Sequence, residues 1–198
     1  MLTFDVMLAL MFFAFVMTIT PGPNNVLLLA SGLAFGVRRT GWHMAGILAG
    51  VLLQIAVVGA GLGMLFAREP RAQTALMIAG SLYMLWLARR LWLASSLQGG
   101  DAARPIRFHE AALFQFLNPK TWLMATTVVA VFVPPGDHYA QRVAVAGMLF
   151  NLVALPCIAL WAVSGEALGR WIHDPVALQR INRLMAVLTM ATVIMFWV

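Results

Sequence analysis

Thr20-Pro21-Gly22-Pro23-Asn24-Asn25 interrupts an apolar stretch that begins at Leu2 and ends near Phe35. Two prolines and a glycine within three residues cannot continue a regular helix: proline lacks the amide hydrogen, and glycine is conformationally loose. In lipid, the backbone groups freed by such a break must find partners in protein or in a water-filled cavity. A helix broken at membrane depth is therefore a candidate binding site.

The composition places the break in a membrane. The chain has 198 residues, 62% hydrophobic and 10% charged, with mean hydropathy +0.88. Soluble domains carry about 25% charged residues. Six apolar stretches stand at about 4–34 (interrupted), 42–66, 72–94, 109–133, 142–165 and 177–198, each near the ~20 residues that cross a bilayer. The first lacks the basic flank and cleavage site of a signal peptide and reads as a retained span. A single cysteine, Cys157, excludes an internal disulfide and reads as a packing residue.

The net charge of +6 would raise nucleic-acid binding in a soluble protein. Here topology accounts for it, and no nucleic-acid partner is expected. Arg38, Arg39, Arg89, Arg90, Arg104, Arg107, Arg170, Arg180 and Arg183 fall on one side, and Arg68, Arg71 and Arg142 on the other. The positive-inside rule puts the first group in the cytoplasm and both termini outside.

The longest polar stretch, Ser95 to Arg107, divides the chain nearly in half. The expected fold is all-α: a polytopic membrane protein of six transmembrane helices forming one domain, 1–198. Repeat one covers about 1–94, a cytoplasmic linker 95–108, and repeat two about 109–198. An odd number of spans per half forces the second half to insert upside down, and matched broken spans then mark the transport site. Pro21-Gly22-Pro23 breaks the first span of half one. Asn118-Pro119-Lys120 breaks the first span of half two, about half a chain later. Gly46 and Gly50 in the second span stand near-opposite Gly147 and Asn151. Asp174, before Pro175, is the expected cap of the last span.

Lys120 is the only Lys, Arg, Asp or Glu well inside any expected span. An ionisable group there costs about 2.5–3.5 kcal/mol on insertion scales and is a functional hypothesis by default. It suits a carboxylate, and as the lone intramembrane charge it is the candidate proton carrier. The helix resuming near Asn24 presents free N–H groups and a positive dipole end, which also attract a carboxylate. Asn24 and Asn25 add amides, and Thr18 and Thr20 add hydroxyls. Gln54, Gln115 and Asn151 are mid-span polar residues that either line the cavity or bond between helices. Tyr83, in Gly80-Ser81-Leu82-Tyr83, is a further candidate. Gly32-x-x-x-Gly36 and Gly46-x-x-x-Gly50 read as packing patterns.

His43, His109, His138 and His173 sit at expected span ends and form no metal cluster, and no nucleophile–base set or Walker loop occurs. No enzyme activity, metal or cofactor is expected. With no carboxylate at mid-membrane, a cationic cargo is disfavoured and a neutral or zwitterionic one fits better.

Thr20 to Asn25 resembles the signature of the LysE/RhtB amino-acid exporters. Phe114-Gln115-Phe116-Leu117-Asn118-Pro119-Lys120 is similar to that family's second motif, and Gly80-Ser81-Leu82-Tyr83-Met84-Leu85-Trp86-Leu87 to its glycine–tyrosine pattern. Ala111, Gln115 and Thr121 depart from the commoner pattern, which has Gly, Asn and Ala there. The resemblance covers the whole chain. It implies a bacterial inner-membrane exporter of amino acids or their derivatives, driven by the proton motive force, with the two broken segments lining the pathway. Asn25 is similar to the branch that handles neutral or cysteine-related metabolites. The expected function is thus alternating-access export at a midplane site. The bilayer, a small amino-acid-like substrate and protons are the partners, and small-residue faces permit a homo-oligomer. The alternative from another class is a non-transporting membrane scaffold, for which the paired breaks have no use.

Overall fold

The computed structural model describes residues 2–62, 70–93, 104–171, 174–194 and 197. Most of the expected linker, the ends of the second, third and sixth expected spans, and Arg68, Glu69, Asp101 and His173 lie outside the described residues.

Among the described residues all regular structure is helical. The elements are α1 (Phe4–Ile19), α2 (Pro23–Val57) running into a π-helical turn (Val58–Leu62), α3 (Pro70–Leu93), α4 (Phe108–Leu117), α5 (Pro119–Phe132), α6 (Tyr139–Trp171) and α7 (Pro175–Ile194). Four of them begin on proline, whose fixed φ and missing N–H suit the first helical position. Asp174 does cap α7, accepting from the Val176 N–H at 3.0 Å. The stretch from Pro23 to Gly61 and α6, 39 and 33 residues, are long and apolar enough to cross a membrane.

The molecule is inside-out for a soluble protein. Gln54, Gln115, Asn118, Asn182, Thr40 and His43 are buried, whereas Phe12, Trp42, Leu113, Leu123 and Leu152 point outward. That distribution fits a bundle whose surroundings are apolar.

α2 is the central element, packed on α6, α4 and α5, with α1 against α6 and α3 against α7. Glycines set its closest approaches. A Cβ on Gly46 would lie 2.2 Å from the Phe108 carbonyl oxygen of α4, and one on Gly165 of α6 only 2.1 Å from that of Leu29.

Two expectations are corrected here. Gly36 is not a packing glycine: it adopts φ +77° and bends α2 without ending it. The residues expected to link the first two spans, 35–41, are helical apart from this bend, because Gly36 reaches a positive φ at no steric cost. His43, expected at a span end, consequently sits inside α2 and is fully buried. The Glu166 carboxylate of α6 accepts the Val37 N–H just past the bend at 2.6 Å and is also paired with Arg170.

Candidate functional site

The first break is satisfied from a distance. α1 ends at Ile19, and Thr20 and Gly22 are extended, as residues before prolines prefer to be. Every carbonyl from Val16 to Gly22 nevertheless has a donor. Thr20 bonds Val16 through its N–H and Met17 through its hydroxyl. The Asn25 amide donates to Thr18 O and Thr20 O, both at 2.8 Å. Trp161 Nε1 of α6 reaches Ile19 O at 3.2 Å, and Val26 N–H serves Gly22 O. Lys120 Nζ, from the other half of the chain, donates to Thr20 O at 3.2 Å, Thr20 Oγ1 at 3.0 Å and Pro21 O at 3.3 Å.

The start of α2 is different. Gly22 gives it no side-chain cap, and the N–H groups of Gly22, Asn24 and Asn25 have no acceptor among the described residues. Lys120 lies directly over this end: a Cβ on Gly22 would stand 3.2 Å from both its Cδ and its Nζ. An uncapped helix N-terminus and an ammonium thus share one place. Its neighbours are neutral, because the carboxylate ion pairs among the described residues belong to Arg104 with Glu110 and Arg170 with Glu166.

The second break is closed chiefly by its own neighbours. Asn118 caps α5, its Oδ1 accepting from Lys120 N–H at 3.1 Å. Thr121 Oγ1 lies 2.7 Å from both Gln115 O and Asn118 O. Trp122 Nε1 donates to Phe116 O at 2.9 Å. Pro119 starts α5 as Pro23 starts α2.

Between the breaks lies a cavity of about 40 Å³, lined by Gly22, Pro23, Asn24, Asn25, Asn118, Lys120 and Asn151 together with Thr18, Thr121 and apolar side chains such as Met17, Val51 and Phe150. This is room for roughly two to four waters and too little for an amino acid, so cargo requires the helices to part.

The expected site residues sort into three groups. Gly22, Pro23, Asn24, Asn25, Asn118, Lys120 and Asn151 line the cavity. Gln115 and Gln54 support it from behind, whereas Pro21 is exposed with its carbonyl on Lys120, and Pro119 starts α5 outside the lining. Gln115 forms a reciprocal amide pair with Asn24 at 2.7 and 3.3 Å and also holds Ala111 O. Gln54 Nε2 makes a long 3.4 Å bond to Gln115 O. Tyr83 is not brought in: its ring packs on Phe114 and Trp86, at 5.2 and 5.5 Å. Sequence reasoning missed Trp161 and the role of Thr121, since an indole on a distant helix and a threonine two residues past a proline carry no motif. Asn151 carries a further polar feature. Its Nδ2 donates to Leu48 O at 2.9 Å, while its Oδ1 is buried without a partner among the described residues.

This geometry can seat an anion at the α2 N-terminus beside Lys120, and a donor at Asn151 Oδ1. The chain is 26% identical over 185 residues, 90% of each chain, to an uncharacterized membrane protein of Vibrio cholerae. It is 30% identical over 159 residues to the cysteine/O-acetylserine efflux protein of Escherichia coli strain K12, covering 80% of this chain and 81% of that one. The efflux protein of the same description from Shigella sonnei matches to the same extent. No solved structure matches. The family described as LysE type translocator matches over residues 15–197, from within α1 past the end of α7. The broken helices, the buried polar interior and this match have one reading: the chain is a membrane protein of the LysE translocator family.

Proposed function

We propose that this protein is a secondary exporter of small zwitterionic amino acids or their derivatives in the bacterial inner membrane. It works by alternating access and is driven by the proton motive force. Six spans form two inverted three-helix repeats, with both termini outside. The first spans of the two repeats are α1 with the start of α2, and α4 with α5.

One observation carries the reading. The uncapped N-terminus of α2 and the Lys120 ammonium meet at a cavity between two helix breaks. Free N–H groups and the positive dipole end favour a carboxylate. Lys120 adds a charge-assisted bond, exchanging its carbonyl acceptors for the cargo. The unpartnered Asn151 Oδ1 suits the cargo's ammonium, since a buried acceptor left unsatisfied costs about 1–3 kcal/mol. A relative named for cysteine and O-acetylserine efflux supports cargo of that size and charge. Proton coupling through Lys120 is part of this proposal, supported by its being the one ionisable side chain lining the cavity.

The test is efflux from loaded membrane vesicles, screened over a panel of amino acids and O-acyl derivatives with and without an uncoupler. Export of small neutral amino acids that collapses with the uncoupler is the expected result. Export of none of the panel, with Pro21, Pro23 and Lys120 freely substitutable, would favour a scaffold instead.

A further inference from the structure

A second cavity, of about 740 Å³, lies at the end of the bundle that carries Arg38 and Arg39. It opens between α2 and the start of α4 and is lined by Arg38, Arg39 and Trp42 on one side and Ile106, Arg107 and His109 on the other. None of the three guanidinium groups has a carboxylate partner among the described residues. Glu110, one turn into α4, is already engaged by Arg104 and by the Arg107 N–H, and Glu166 by Arg170. Three like charges facing one hollow repel one another until an anion sits among them. Orientation in the membrane requires only that arginines lie on one side. It does not require three of them around one cavity.

Of the remaining lining, Trp42 and Phe108 are exposed, while Pro105 and Ile106 are half-buried and form the apolar wall of the hollow. Trp42 is 71% exposed, and it stands one turn from Arg38 on the same helix face. An amphipathic indole beside a basic hollow is the arrangement found at the headgroup level of a bilayer. A free phosphate would use the guanidinium groups and leave the indole and Ile106 unused. A phospholipid uses both.

We infer that this cavity binds the headgroup of an anionic phospholipid of the inner leaflet, with Arg38, Arg39 and Arg107 on the phosphate and Trp42 and Ile106 against the glycerol and upper acyl chain. Basic pockets between cytoplasmic helix ends have this use in other membrane proteins. The lipid bridges α2 and α4 where the Gly46 backbone meets the Phe108 carbonyl, so it ties the two halves of the chain together at that end.

The experiment needs no transport. Detergent-purified, delipidated protein is titrated with phosphatidylglycerol, cardiolipin or phosphatidylcholine and followed by native mass spectrometry and thermal unfolding. The anionic lipids should be retained and raise the melting temperature, while phosphatidylcholine and inorganic phosphate should do neither. Removing two charges with Arg38→Gln/Arg107→Gln should weaken retention roughly tenfold or more. Arg89→Gln/Arg180→Gln, which removes the same charge elsewhere on that side, should retain lipid as the wild type does. Equal losses in the two double variants, equal retention of phosphatidylcholine by the wild type, or full stabilisation by inorganic phosphate would each overturn the inference. The wild-type lipid comparison decides the matter even if a variant fails to fold.

Discussion

The two helix breaks look alike as sequence and behave differently as structure. The break at Asn118 is closed by its own neighbours, with Asn118, Thr121 and Trp122 serving the freed backbone within a few residues. The break at Thr20–Gly22 has a local donor in Asn25 but also takes donors from Trp161 and Lys120, 142 and 100 residues away, and leaves the helix that follows it uncapped. A self-contained break is a rigid mount. A break held by long-range bonds has a second arrangement available whenever those bonds are exchanged. In this molecule the rigid break carries the lysine and the open break carries the amides. The contact between them is the part a cargo would replace.

The largest expected effect tests that contact. Lys120→Met should cut export roughly 10- to 100-fold, from a charged hydrogen bond of about 1.5–3 kcal/mol, measured as efflux from loaded vesicles. Lys120→Arg separates two roles. If Lys120 must release a proton, the arginine variant fails too, because the guanidinium stays charged. If a fixed charge suffices, it exports, and the proton role is withdrawn.

Two glycines, one at each break, sharpen the comparison. A Cβ on Gly80 would lie 2.2 Å from the Leu117 carbonyl oxygen beside the rigid break. Gly80→Ala should therefore cost about 1–3 kcal/mol of stability by overpacking, seen as a lower unfolding temperature. A Cβ on Gly22 meets only the flexible end of Lys120, at 3.2 Å. Gly22→Ala should unfold close to the wild-type temperature and lose export. If the two variants lose stability equally, the distinction between rigid and open breaks fails.

Removing caps gives effects of similar size at the first break and the smallest at the second. Asn25→Ala leaves the buried Thr18 carbonyl without its donor and should cost about 1–3 kcal/mol. Thr121→Val should cost under about 1.5 kcal/mol, because the Gln115 and Asn118 carbonyls keep other donors. Thermal unfolding of both variants in one detergent checks the order. A reversal would mean that the second break depends on its side chains more than the first.

Much of this was legible in the sequence, for physical reasons. Prolines inside apolar runs announce breaks, and a lone lysine in such a run announces itself by its cost in lipid. The all-helical fold and the nearness of the Pro-Gly-Pro and Asn-Pro-Lys segments follow from those signals. What escaped were pairings across the fold. Nothing local shows that Gln115 turns to Asn24, that Asn25 caps the helix before it, or that Trp161 reaches Ile19. Gly36 reads as packing in the sequence because a small-xxx-small pattern and a positive-φ bend look identical there. Tyr83 stood in a familiar pattern, yet its ring packs against Phe114 rather than facing the cavity.

The most direct measurement compares serine and O-acetylserine with their carboxamides in proteoliposomes containing wild-type protein. A carboxylate seat at the α2 N-terminus and Lys120 requires that the acids be transported and the amides fall behind by roughly tenfold or more. Amides transported as fast as acids would contradict it.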